Sequence, residues 1–507
     1  MSLPRIARPV PLHPFLLAAF PVLFQYAHNV EYDVSIREVL PWVGLFVGGA
    51  AVVFVIVWAA VRKALSAALA TSVVLILFFS YGPIRNALGG AANAVLLPAW
   101  GLLAAGGILL AVRSQRRLPA LTRGLNAVAA ILVLSNVATA GWFEWKNRET
   151  APNVASDVRS LLGPPPAGAP PTGKPDIYYL MLEEYGGKRA LADLFGFDNT
   201  PFYDALRERG FYVVEGATTN YAHTAHSLAS SLNMQYVQDL LPATPSGDWA
   251  PLYDLIRDDQ VPKFLHSRGY RYVHIGSWWT PTASNPQADV NVKMKGALSE
   301  FATTLLGTTA FQPIGDTFSS NFNFAKREYL RVLFEFDQLA KTSEVGGPKF
   351  VFGHVLIPHH PFVFDVDGRY VEQEIRESRT DRDNYIRQLQ YANARVLELL
   401  DTLLDVPDEA KPVIVLQSDE GPYEGLNDGA TATPRELEQH FGILNAYFFP
   451  RVDEPGLYPE ITPVNTFRLL FADYFDAGLP LLPDRNYAFL DPDHLYEFRD
   501  VTADIVS

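Results

Sequence analysis

The chain has no cysteine in its 507 residues. Disulfides, thiolate metal centres and cysteine nucleophiles are therefore excluded. It also lacks a basic surplus, with a formal net charge of −14. Nucleic-acid binding needs Lys and Arg to neutralise phosphates, so this balance argues against it. It argues equally against adhesion to anionic lipid by charge alone. Charge is scarcer still in one region. Residues 1–145 are almost wholly apolar, and nearly all the acid lies in 146–507. No apolar run contains an acidic–basic pair of the kind that marks an ion or proton path, which disfavours a transporter.

The apolar region divides into runs. A membrane crossing needs roughly 20 apolar residues to span about 30 Å of hydrocarbon. Segments 40–61, 65–84, 91–112 and 123–143 meet that length, and the shorter 12–28, with His13, Pro14 and Pro21, reads as a fifth span. A cleaved signal peptide is the alternative for 12–28, but four further spans follow and no small-residue cleavage site is evident. Basic residues favour the cytoplasmic loops. Arg5 and Arg8 precede the first span, Arg62 and Lys63 follow the second, and Arg113, Arg116, Arg117 and Arg123 follow the fourth. The N-terminus is thus expected inside, and five crossings put the remaining chain outside, with Trp142 and Trp145 at the outer interface.

Residues 146–175 read as a linker. Its GPPPAGAPPTGKP stretch favours a semi-rigid extended spacer, because proline fixes φ and donates no hydrogen bond. From 176 to 507 short apolar runs bounded by turn residues predict strands at DIYYLML, FYVVEG, YRYVHIGS, KFVFGHVLIPHHPF, KPVIVLQSDEGP and LNAYFFP, with helices between them, clearest at 382–404. Such alternation predicts an α/β domain with a mostly parallel central sheet covered by helices on both faces. Ligands in these sheets bind beyond the carboxyl ends of the strands.

Three predicted strand ends are polar: Glu183 and Glu184; His354, His359 and His360; Ser418, Asp419 and Glu420. Paired carboxylates at two strand ends, with histidines nearby, suggest a metal site, although a single such acid is more often a solvated loop residue. NYAHTAHSLASSLN places Thr224 near a predicted helix N-terminus, where amides and dipole favour an anion. A threonine there is either a metal-activated nucleophile or an ordinary cap.

The motifs YYLMLEEYGG, NYAHTAHSLASSLN, HVLIPHHPF, VIVLQSDEGP and TPVNTFRLLFADYF, in that order, resemble the sulfatase-like branch of the alkaline-phosphatase superfamily. With the membrane spans, the whole plan looks like lipoteichoic acid synthases and lipid phosphoethanolamine transferases. The resemblance implies Glu183 as a metal ligand, with Glu184 as the fallback, Thr224 as both nucleophile and ligand, and Asp419 as the acidic ligand. It implies that His359 contacts the phosphoryl group or protonates a leaving alkoxide, with His354 and His440 as further substrate-binding helpers. Glu420 stands where the family usually has histidine. The implied set, Glu183, Thr224, Asp419 and Glu420, is then all oxygen, which favours Mg²⁺ or Mn²⁺ over Zn²⁺ and adds negative charge to an anion site. Sulfatases that make formylglycine from C/S-x-P-x-R are a near miss: SNPQA at 284–288 lacks the arginine.

The resemblance therefore implies a membrane-anchored, metal-dependent phosphotransferase. It would pass a phospho-head group from a lipid donor to a glycan or lipid acceptor of the cell envelope through a phosphothreonine intermediate. Hydrolysis on the same site, as a phosphodiesterase or phosphatase, and a non-catalytic envelope binding module with a degenerate metal site stay open as alternatives.

Overall fold

The computed structural model describes residues 9–88, 93–113, 117–147, 174–296, 298–311, 313, 323–422 and 426–505. Most of the expected linker, 148–173, lies outside the described residues, as do Arg5, Arg8 and Arg116. The chain divides into two compact units: 1–149 with 298–324, and 150–297 with 325–507.

The first unit contains α1 (His13–Ala27), α2 (Ile36–Val61), α3 (Ala64–Ala87), α4 (Asn93–Arg113) and α5 (Leu118–Asn147). Among the described residues each expected span is helical, and four of these helices are long and apolar enough to cross a membrane. The fifth, α1, has only 15 residues. It is well buried, through Ala18, Ala19 and Val22, and α3 contributes Ala67, Ala68 and Ala70 to the interior. Small residues let helix backbones approach closely where no water drives association. Several polar groups at the start of α1 are paired internally, as hydrocarbon favours. Asn126 Oδ1 accepts from the amides of Leu12 and His13 at 3.0 and 2.8 Å, and His13 Nδ1 meets Ser72 Oγ at 2.6 Å.

The sequence reading assigned all of 176–507 to one domain, yet 298–324 groups with the membrane helices. Within it, the helix Glu300–Gly307 buries Phe301, Ala302, Leu305 and Leu306. Gln25 Nε2 donates to the Phe301 carbonyl at 3.0 Å, and the Gly82 amide donates to the Thr308 carbonyl at 3.1 Å. A side chain at position 82 would start 2.1 Å from the Gly307 oxygen, so glycine is what lets α3 come this close.

The second unit is built on a seven-stranded sheet. Its strands are β1 (Ile177–Leu182), β2 (Tyr212–Val213), β3 (Arg271–Ile275), β4 (Val290–Val292), β5 (Lys349–Val355), β6 (Val413–Ser418) and β7 (Asn445–Phe448), in the order β2-β7-β6-β1-β5-β3-β4. β6, β1, β5, β3 and β4 are parallel, and β7 is antiparallel to both of its neighbours. Side chains alternate between faces. Tyr179, Phe352 and Val415 enter one core with Leu228 and Phe467, while Leu180, Val351 and Leu416 enter the other with Phe336 and Leu400. Burial on both faces is why the central strands are continuous apolar runs.

Candidate active site

β1 lies between β5 and β6, with Leu182 level with Val355 on one side and Ser418 on the other. The residues that leave β1 and β6 at their carboxyl ends, Glu183–Glu184 and Asp419–Glu420, are therefore brought together by register. Glu184 has φ +55°, a left-handed conformation that costs a non-glycine residue on the order of 1 kcal/mol. Its amide donates to Asp419 Oδ1 at 3.2 Å, and Tyr385 Oη donates to its carbonyl at 2.8 Å. The turn sends the two glutamates to different partners.

Glu183 goes inward. Thr224 Oγ1 donates to Glu183 Oε1 at 2.8 Å and is 3.0 Å from Glu420 Oε1. Thr224 opens the helix Thr224–Asn233. The first main-chain bond of that helix runs from Ser227 to the His223 carbonyl at 3.0 Å, so the amides of Thr224, Ala225 and His226 precede the ladder at its positive end. The other Glu183 oxygen contacts His354 Nε2. His354 Nδ1 lies 3.0 Å from Thr282 Oγ1. His354 sits inside β5 with both ring nitrogens engaged, Nε2 toward Glu183 and Nδ1 toward Thr282. Glu183, His354 and Asp419 each offer an atom within 4.8 Å of the others.

This cluster is crowded with acid. Burial pushes the Glu183 carboxyl up to about 7. Burial, then the charge of Glu183, holds Asp419 well above the carboxylate range, and burial followed by Asp419 does the same to Glu420. Burial lowers His354 to about 4. Asp419 Oδ2 and Glu420 Oε2 are buried without a hydrogen-bond partner. Buried unpaired polar atoms are costly, and converging oxygens with no donor are what a divalent cation satisfies. The residues present fit such an ion.

Glu184 faces another group. Glu184, His359 and His360 also come within 4.8 Å of one another, with His359 Nε2 at 3.7 Å from Glu184 Oε1. His359 Nδ1 donates to the His360 carbonyl, and burial followed by His360 lowers the ring to about 3. A neutral imidazole so tied presents Nε2 as an acceptor, which does not suit the protonation of a leaving alkoxide that the resemblance implied. A cavity of about 750 Å³ opens here, lined by Glu184, His360, Phe362, Arg376 and His440. His440 comes to this wall because its carbonyl accepts from the Gly421 amide at 2.8 Å. A Cβ at Gly421 would lie 1.9 Å from the Gln439 oxygen, so the DEG turn depends on glycine. Burial lowers His440 to about 4.

Three supporting groups were not singled out from sequence. Thr282 orients His354. Trp278 and Trp279, just beyond β3, lie edge-on to His359 and His354 at 6.0 and 5.9 Å. Gln388 ties down the HHPF loop: Nε2 donates to the Pro358 and His359 carbonyls at 3.0 and 2.7 Å, and Oε1 accepts from the Val363 and Phe364 amides at 2.7 and 3.1 Å. Only the GSWW position at a strand end offered a sequence signal. Gln388→Leu would orphan these buried backbone groups, and a stability loss of about 2–4 kcal/mol is expected. Chemical denaturation of the purified protein reads it, and a loss below about 1 kcal/mol would show that the loop is held otherwise.

Fold and site together define a membrane protein carrying an enzyme domain for phosphate or sulfate esters. The chain belongs to the sulfatase family, whose sequence model matches residues 175–443. No curated protein matches it. Among solved structures it is similar to the C-terminal periplasmic domain of EcEptC from Escherichia coli in complex with Zn, at 15% identity and TM-score 0.44, covering 66% of this chain and 96% of that one. It is also similar to the integral membrane lipooligosaccharide phosphoethanolamine transferase A from Neisseria meningitidis, at 14% identity and TM-score 0.39, covering 91% and 95%.

Proposed function

We propose that this chain is a metal-dependent phosphotransferase anchored by five membrane crossings, with its N-terminus inside and its catalytic domain outside the cytoplasmic membrane. The observation that carries the reading is Thr224: a buried hydroxyl at a helix N-terminus, hydrogen-bonded to Glu183 and Glu420 beside the partnerless oxygens of Asp419 and Glu420. Glu183, Thr224, Asp419 and Glu420 would hold a divalent cation. Their oxygens favour Mg²⁺ or Mn²⁺, while His354 within reach adds a nitrogen that zinc accepts readily. When bound, the cation supplies positive charge that favours the threonine alkoxide and offsets charge on the phosphoryl oxygens.

Thr224 Oγ1 attacks the phosphorus of a lipid donor, the phosphorus–oxygen bond to the lipid alcohol breaks, and the proton that Thr224 gives up along its hydrogen bonds to Glu183 and Glu420 passes on to that lipid oxygen, which leaves as the alcohol. The amides of Thr224, Ala225 and His226 face the developing anion. In the second half, His359 Nε2 accepts a hydrogen bond from the incoming hydroxyl of a glycan or lipid acceptor, and that hydroxyl displaces the threonine. The cavity lined by Glu184, Arg376 and His440 gives this acceptor room.

The test is the intact mass of full-length protein purified from its own membranes, beside Thr224→Ala. An adduct on the wild type alone is expected, its mass giving the transferred head group. No adduct after addition of phospholipid and Mn²⁺ would overturn the covalent transfer and leave direct hydrolysis.

A further inference from the structure

The loop after β3 carries two buried hydroxyls that its own turn does not need. The Ser277 amide donates to the Thr282 carbonyl and the Thr282 amide to the Trp279 carbonyl, both at 3.1 Å, so main-chain bonds already close the loop. Ser277 and Thr282 are both buried. Their hydroxyls meet at 2.8 Å, and Thr282 Oγ1 reaches on to His354 Nδ1 at 3.0 Å. Trp279 anchors the far end of this row: its amide donates to Ser277 Oγ at 3.1 Å, and its carbonyl lies 3.5 Å from the same oxygen. The near end is Glu183, which His354 Nε2 contacts.

A hydroxyl both donates and accepts, so the row can run in either direction. In one, His354 carries its proton on Nε2 and donates to Glu183, Ser277 donates to Thr282, and Thr282 donates to Nδ1. In the other, Nδ1 carries the proton and donates to Thr282, Thr282 donates to Ser277, and Ser277 donates to the Trp279 carbonyl. Both forms hold the same number of protons, and the ring is neutral in each. Only the second leaves a lone pair on Nε2, the state in which an imidazole ligates a metal while its other nitrogen donates to a supporting group. Glu183, His354 and Asp419 each offer an atom within 4.8 Å of the others. We infer that Ser277 and Thr282 are positioning residues that free His354 Nε2 to serve as a nitrogen ligand beside the carboxylates, an inference that rests on the metal-dependent reading above. The hydroxyl pair is thus a reversible support. It satisfies the ring against Glu183 when the carboxylates hold no ion, and it takes over the ring proton when they do.

Zinc-edge X-ray absorption of the full-length, tag-free protein in detergent, loaded with one equivalent of Zn²⁺, tests this. An imidazole ligand gives outer-shell scattering that carboxylates do not. One imidazole is expected in the wild type and none in Thr282→Val, whose zinc affinity, read by chelator competition, should fall about 10–100-fold. Thr282→Ser should restore both. Ser277→Ala keeps Thr282 and should weaken zinc binding about tenfold, which carries the test if Thr282→Val does not fold. Zinc bound without imidazole in the wild type, an imidazole kept in Thr282→Val, or unchanged affinity in Ser277→Ala would each overturn the assignment and leave the metal-dependent reading in place. No zinc bound to the wild type would overturn that reading as well.

Discussion

Replacing Thr224 by alanine is expected to lower turnover by about 10⁴-fold or more, the scale seen when a nucleophile is removed from a working catalytic set. No neighbour can substitute. Ser227 Oγ is engaged with Thr219 Oγ1 at 3.1 Å, and Ser418 Oγ donates to the Glu420 carbonyl at 2.8 Å. Thr224→Ser keeps the hydroxyl and should retain most of the rate. The pair of variants, assayed by head-group release from phospholipid, separates loss of the nucleophile from loss of packing. Undiminished turnover in Thr224→Ala would remove the threonine from the mechanism.

Metal removal should have the second large effect, and its sign depends on pH. Without a cation, Glu183 titrates at about 7, and Asp419 and Glu420 lie well above their ordinary range. Groups raised in the folded state contribute stability that is fully present below their unfolded values. That stability is lost as pH rises through the folded values. The metal-free protein should therefore weaken from about pH 5 to pH 8. Metal ligands must be deprotonated, so metal affinity rises over the same interval. At a hundredfold excess over Kd the ion adds about 2.7 kcal/mol. Thermal unfolding in EDTA and in Mn²⁺ or Zn²⁺ should diverge strongly at pH 8 and little at pH 5. Coincident melting curves at pH 8 would mean that the carboxylates hold no ion.

The parts of this protein that were legible in sequence share a cause. Strands buried on both faces must be continuously apolar, so β1, β5 and β6 announce themselves, and the membrane helices do so for the same reason. β4 is only Val290–Val292, too short to differ from loop. The adjacent acids Glu183 and Glu184 are chemically alike, and only the left-handed backbone at Glu184 decides which of them meets Thr224. Gln388 and Thr282 act through partners brought near by the fold, and neither residue type stands out in a sequence. EFATTLLG, at 300–307, looks like any short surface helix of a soluble domain, because its four buried side chains would suit a protein core equally well.

That last helix has a practical consequence for anyone who would cut the protein in two. A fragment beginning after the proline-rich stretch looks like a clean soluble enzyme on paper. It would carry Phe301, Leu305 and Leu306 away from the bundle that shields them and expose them to water. Such a fragment invites self-association through a sticky loop.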